Sequence, residues 1–305
     1  MIWAYLGGLI LSTARQHYLA RLHQVIAYID AQGQQDDNLT LEHLSQIANL
    51  SKFHFQRQFS AQFGISVAHY IQLSRLKRAA HLLAFRPQKS VLDVALDSGY
   101  QSPESFARIF KQHSSQSPSD FRKQPAWPAW HSALQPLDTL RSMLIMPQIN
   151  LADVTIIDVP ATRIAVLAHH GDPILLGDSI RRFIAWRKLH GLPPARHATF
   201  NLLYNDPKTT PAADFRLDLC VATDMTIPPN ESGIYASTIP AGRCAYLRHI
   251  GSEESLVAAF TALYRDWLPD SSEELRDFPL YLQRIAFFPD VAENDAMTDI
   301  FLPLS

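Results

Sequence analysis

Two cysteines in 305 residues are too few for a disulfide framework, and Cys220 and Cys244 lack the Cys-x-x-Cys spacing of a zinc site. Both sit in apolar runs that read as strands, which suits a reducing, cytoplasmic address. Basic residues are missing from the start of the chain: none precedes Arg15, although positions 1–11 are almost wholly apolar. A secretory signal opens on basic residues, and a membrane span needs ~20 apolar ones. Residues 1–16 are therefore expected to be an N-terminal extension, with no membrane partner. The chain also lacks a Gly-x-Ser-x-Gly elbow, a Ser-His-Asp order and a metal-spaced His/Glu cluster. His169, His170, His249 and Asp172 are accordingly read as parts of a structural frame, and neither a cofactor nor catalysis is expected.

What is present describes two domains. A hydrophobic content of 47% with 18% charged residues is that of a globular protein, and the length is comfortable for two cores. The net charge of −2 hides an uneven distribution. Residues 1–124 hold 13 Lys and Arg against 8 Asp and Glu, a balance of +5, whereas residues 125–305 hold 14 against 21, a balance of −7. A basic half joined to an acidic half suggests a polyanion reader fused to something else. Apolar residues keep helical spacing over 17–124, then the proline-rich stretch 125–150 loses all period and reads as a linker. Beyond it, strand-like runs at 156–159, 164–168, 215–221 and 243–250 alternate with two helical segments. The expected architecture is an all-α domain (17–124) with two helix-turn-helix units, then an α+β domain (151–305) built from a duplicated strand-helix-strand unit.

Each domain contains an internal repeat. In the first, the frame Ser-x-x-x-Phe-x-Arg-x-Phe occurs at Ser51, Phe55, Arg57 and Phe59 and again at Ser102, Phe106, Arg108 and Phe110, an offset of 51. The serines read as N-caps, and Pro103 stands at a first helical position, where its missing N–H costs nothing. The aromatic pairs, four apart, point to the core, and the arginines face out. A short helix and a tight turn precede each frame, which is the helix-turn-helix arrangement whose second helix enters the major groove of double-stranded DNA. The expected outward stripes are Phe53, Gln56, Arg57 and Ser60, then Glu104, Ala107, Arg108 and Lys111. Arginine suits guanine, glutamine adenine, and glutamate accepts from cytosine. Lys52, Lys111, Arg122 and Lys123 suit phosphates; Ser51, Ser102, Pro103 and Ser105 complete the DNA-facing set at the helix starts.

These residues, with Gly64-Ile65-Ser66, Tyr70, Val94-Ala95, Gly99-Tyr100 and Pro118-Ser119-Asp120-Phe121-Arg122, make residues 20–123 resemble the AraC/XylS family of bacterial regulators. The resemblance implies that the helix over 67–85 is a rigid spacer setting both reading helices into neighbouring major-groove segments. It also implies a transcription regulator that works with RNA polymerase. One departure is Ser114-Ser115, where the family has a large apolar residue and glycine; a looser last turn is expected there.

In the second repeat, the frame Pro-Ala-x-Arg-x-Ala-x-Leu-x-His-x-Gly runs from Pro160 to Gly171 and from Pro240 to Gly251, an offset of 80. Such a duplication forms a pseudo-two-fold domain with a cleft between its halves, a default ligand site. This half resembles the GyrI-like effector-binding domain over about 153–304, and its place after an AraC-type reader is the arrangement of Rob-like regulators. The resemblance implies a lipophilic small molecule on an aromatic platform, for which the candidates are Trp186, Tyr204, Phe215 and Tyr246. Leu282 stands where the family has an acidic ligand contact and Arg284 where it has tyrosine. A neutral or anionic effector is then as well suited as a cation. The alternative is that the second domain is a ligand-independent shield or protein-docking module; a remote alternative, implied by the hydrolases among GyrI-like relatives, is hydrolase activity in this domain.

Overall fold

The computed structural model describes residues 13–31, 39–144 and 150–305. The apolar run at 1–11 lies outside them; the first helix begins at Thr13, ahead of the expected domain start at 17.

Among the described residues, eight helices form the N-terminal half: α1 Thr13–Ala31, α2 Leu41–Ile47, α3 Lys52–Phe63, α4 Val67–Phe85, α5 Val91–Asp97, α6 Pro103–Ser114, α7 Pro118–Lys123 and α8 Trp127–Leu144. Serine or threonine opens most of them. The side chains of Thr40, Ser51, Ser66, Ser90, Ser102 and Ser117 each accept from a backbone N–H three residues on, which removes one orphan donor per helix. Gly64 ends α3 in the left-handed conformation at φ 71°, a geometry that favours glycine. Ser114-Ser115 ends α6 in an ordered turn, contrary to the expected looseness. Ser115 takes φ 60° and donates to the Lys111 carbonyl, while the Ser114 hydroxyl donates to the Phe110 carbonyl and accepts from the Gln116 N–H.

The expected linker is α8, a correction with a clear cause. Trp127, Trp130, Leu134, Leu137 and Leu140 recur every three or four residues and are all buried. Trp130 stacks on Phe110 with centroids 5.6 Å apart and meets Phe121 edge-on; Trp127 stacks on Phe85. This aromatic burial outweighs Pro136 inside the helix, which alone costs about 3 kcal/mol. The helical core thus continues to Leu140.

The C-terminal half is one eight-stranded antiparallel sheet: β1 Thr155–Val159, β2 Thr162–His170, β3 Thr199–Leu203, β4 Arg216–Ala222, β5 Tyr235–Ile239, β6 Gly242–Ile250, β7 Leu280–Ala286 and β8 Met297–Pro303. The strand order is β1-β6-β8-β7-β3-β4-β2-β5. Two-residue links, Pro160-Ala161 and Pro240-Ala241, join β1 to β2 and β5 to β6, strands at opposite ends of that order. The sheet must therefore curl until its edges meet. Its outer face carries α9 Leu176–Leu189 and α10 Glu253–Ala262. Phe183 and Trp186 pack on Leu167, Leu219 and Val221; Leu256, Ala259 and Leu263 pack on Leu247, Leu282 and Ile300. The inner face buries Ile164, Val166, Phe200, Leu202, Cys220, Cys244, Tyr281 and Phe301 against one another.

Candidate DNA-reading helices and effector groove

The two capped helices present what their spacing implies. On α3, Phe55 and Phe59 are fully buried while Phe53 is 82% exposed and Gln56 and Arg57 are exposed. On α6, Phe106 and Phe110 are buried while Glu104, Arg108 and Lys111 are exposed. Between them α4 has 19 residues, a rod of ~28 Å at 1.5 Å per residue. Three expected contacts are qualified. Lys52 pairs with Glu42 of α2 at 2.9 Å. Glu104 accepts from the Ser102 hydroxyl at 2.8 Å, which together with a backbone amide holds its carboxyl below the ordinary range. Arg122 is half-buried, with Nε and Nη2 enclosed and without a hydrogen-bond partner among the described residues, so these two donors do not face a phosphate.

The expected aromatic platform divides across the sheet. Trp186 lies on the outer face, its ring 4.3 Å from His190 and stacked on Phe183. Phe215 packs there too, edge-on to the buried His169. Leu282 packs in the cluster beneath α10, and Arg284 reaches Asn201 and Glu253. A strand alternates its faces residue by residue, so Tyr281 and Gln283 face inward instead. Leu282 is placed outside the inner face by that parity, Trp186 by its position on α9, and Phe215 by its packing against His169. Tyr204 and Tyr246 do belong to the inner side.

Sequence reasoning missed the polar pairs beside them. Residues 216, 218, 220 and 222 of β4 share a face, and Cys220 fixes it as the inner one. There Arg216 donates from Nε and Nη2 to Asp218 at 3.0 and 2.8 Å, and Tyr204 donates to the same carboxylate at 3.1 Å. The guanidinium also covers the Tyr204 ring at 4.0 Å. Across the pseudo-two-fold, Arg248 donates to Asp299 at 2.7 and 2.9 Å and Tyr246 at 3.1 Å. Asp218 lies opposite Ala168 and Asp299 opposite Arg248 in the same register, and 168 and 248 are equivalent in the repeat. Asp218 and Asp299 are 1% and 5% exposed, so both carboxylates are buried and both are paired. Burial and the Asp218 charge push the Tyr204 hydroxyl up to about 12. A residue-by-residue reading of the alternation over 216–220 and 297–301 finds these groups.

His169 and His249 take structural parts. His169 accepts or donates at Nδ1 with Ser179 of α9 at 2.9 Å and meets the Asp172 carbonyl at 3.2 Å. His249 meets Ser255 of α10 at 2.9 Å. Each ties its strand to the helix that covers it, and burial lowers the pKa of both.

The two halves meet at a buried ionic cluster. Glu293, between β7 and β8, accepts from Lys77 of α4 at 2.6 Å and from Arg141 of α8. Arg141 also pairs with Asp30 of α1 at 3.2 Å, and Tyr70 donates to Asp30 at 2.9 Å. Lys77 further pairs with Glu254 of α10 at 3.2 Å. Burial alone would raise the Glu293 carboxyl, but Lys77 and Arg141 outweigh it and hold it at about 2. Nearby, His81 packs edge-on to Phe288 and Arg86 pairs with Asp290. Trp127 of α8 donates to Asp178 of α9 at 2.9 Å.

Comparison with known proteins agrees with both halves. Residues 152–305 match the GyrI-like small molecule binding domain, and residues 44–124 match a helix-turn-helix domain. The probable transcriptional regulator YgiV of Escherichia coli K12 is 36% identical over 154 residues, 50% of this chain and 96% of that protein. The right origin-binding protein of Escherichia coli K12 is 33% identical over 99 residues, 32% of this chain and 34% of that protein. Among solved structures, EcmrR in its DNA complex covers 93% of this chain and 92% of its own, at 14% identity and TM-score 0.42. No helix among the described residues is long and apolar enough to cross a membrane. The chain belongs to the GyrI-like family, and it is a DNA-binding transcriptional regulator in which an AraC-type helix-turn-helix domain precedes the small molecule binding domain.

Proposed function

We propose that this regulator reads DNA with Phe53, Gln56, Arg57 and Ser60 on α3 and with Glu104, Arg108 and Lys111 on α6. In this reading a lipophilic molecule on the inner face of the curled sheet alters DNA affinity or RNA polymerase contact. The observation that carries it is the Lys77–Glu293 pair at 2.6 Å. It ties the rod between the reading helices to the loop leaving β7, the strand that supplies Tyr281 to the inner face. A ligand that prefers one arrangement of that loop shifts the rod by its differential affinity and no more. The test measures DNA affinity and thermal stability against a panel of lipophilic compounds. The sensor reading requires at least one compound that stabilises the full chain and changes its DNA affinity, with that change lost in Glu293→Gln.

A second reading has its own support. Phe200, Tyr281 and Phe301 are already packed against each other, which suits a domain that shields or docks without a ligand. Silence across a wide panel, with DNA affinity unchanged, selects it.

A further inference from the structure

We propose that the effector is a lipophilic anion, an aromatic carboxylate or a close analogue, met by Arg276. The inference rests on the sensor reading above and assigns the chemical class of its ligand.

Among the described residues, the two inner-face carboxylates named above are already matched and so offer a cation no free charge. Asp218 and Asp299 are each engaged by an arginine fork and a tyrosine. A buried carboxylate selects a cation only when its charge is not already matched. Leu282, at the position where the family has an acidic ligand contact, packs on the far side of the sheet.

Arg276 is different. It reaches the link between β5 and β6, where its Nη1 donates to the Ala241 carbonyl at 2.6 Å. It influences the titration of Cys244 and Tyr281, whose sulfur and hydroxyl lie 3.6 Å apart. Its Nε and Nη2 are buried and have no hydrogen-bond partner among the described residues. Unmet buried donors on a charged group are costly, and an acceptor-bearing ligand removes that cost. Gly242 makes the approach possible: a Cβ there would come within 2.1 Å of Arg276 Nη1, and its φ of 145° suits glycine alone. Beside Arg276, Tyr281 and Phe301 stack at 4.8 Å with rings 5° from parallel and are 2% and 7% exposed, so an aromatic body reaches Arg276 by displacing one ring of that stack and taking over its contacts. Arg216 and Arg248 are matched by Asp218 and Asp299, which leaves Arg276 as the one of these three arginines with no carboxylate partner among the described residues. That unmatched charge is the complement of an anion.

Three probes share one ring system and differ in charge: naphthalene-2-carboxylate, naphthalene-2-carboxamide and 2-naphthylmethylammonium. Calorimetry on the full chain is expected to give the carboxylate at least tenfold tighter than the ammonium and at least fivefold tighter than the carboxamide. Arg276→Met is expected to abolish the carboxylate-over-carboxamide ratio, and Arg276→Lys to keep it. The ratio is internal to each variant, so a change in overall stability does not mimic it. Ammonium or carboxamide binding as tightly as carboxylate overturns the anion class while leaving the sensor reading standing. A ratio that survives Arg276→Met overturns the role of Arg276. If none of the three binds at millimolar concentration while other lipophilic compounds do, the class falls alone; if nothing lipophilic binds, the sensor falls with it.

Discussion

Lys77 and Glu293 are 216 positions apart in sequence and 2.6 Å apart in space, and the pair is buried together with Arg141. Removing Glu293 from such a cluster leaves the rest under-matched, since Lys77 then keeps Glu254 alone and Arg141 keeps Asp30 alone. Glu293→Gln leaves Lys77 and Arg141 without their shared carboxylate, and breaking a buried ion pair from one side costs about 3–5 kcal/mol. Denaturant unfolding of the full chain is expected to show a loss of that order. Equal midpoints for variant and parent would mean the cluster is open to water.

His81 gives the interface a dependence on pH. Burial lowers its pKa to about 4 from an ordinary 6.5. Its Nδ1 meets the Lys77 carbonyl at 2.9 Å and its ring packs on Phe288. The folded state therefore prefers the neutral ring, so stability is complete above pH 6.5 and falls as pH drops towards 4. The loss is up to about 3 kcal/mol at 1.36 kcal/mol per unit. Chemical unfolding between pH 7 and 4 is expected to show the decline, and His81→Gln to flatten that part of the curve.

Arg57 and Arg108 should behave unlike Lys111 on DNA. Either arginine replaced by alanine is expected to cost about 1–3 kcal/mol on the specific site and to relax one base position. Lys111→Ala is expected to weaken all sequences alike and to flatten the salt dependence by about one unit. Titrations on specific and random duplexes at several salt concentrations separate the two. Equal losses on both duplexes for both arginines would remove them from base readout.

Gly177 lets α9 lie against α8. A Cβ at this position would fall 2.4 Å from the Trp127 ring, so Gly177→Ala forces the two apart at a cost of about 1–3 kcal/mol. Trp127→Ala removes the obstacle, and the double variant is expected to be more stable than the sum of the single losses implies. Strict additivity in thermal unfolding would show that the ring moves aside freely.

The helical half was largely legible because its signals are local. N-caps, a repeat at offset 51 and a four-residue aromatic spacing all act within one turn, and the spacer expected over 67–85 coincides with α4. α8 was concealed by Pro125, Pro128 and Pro136, although Trp127, Trp130, Leu134, Leu137 and Leu140 kept helical period. Prolines are local punctuation, whereas a long-range aromatic core decides the outcome here. The groove was harder for a different reason. Which face of β7 looks inward depends on pairing with β3 and β8, and a one-residue difference separates Tyr281 from Leu282. Arg276 has no local signature at all, because only the curl of the sheet brings it to Tyr281.

The curled sheet exchanges strands between its two copies. β1, which opens the first copy, pairs with β6 of the second, and β5, which opens the second, pairs with β2 of the first. A polypeptide holding a single copy would expose the flank of its longest strand and invite a twin to cover it. Duplication within one chain fixes that partnership covalently, so this half is in effect a dimer that cannot dissociate at low concentration.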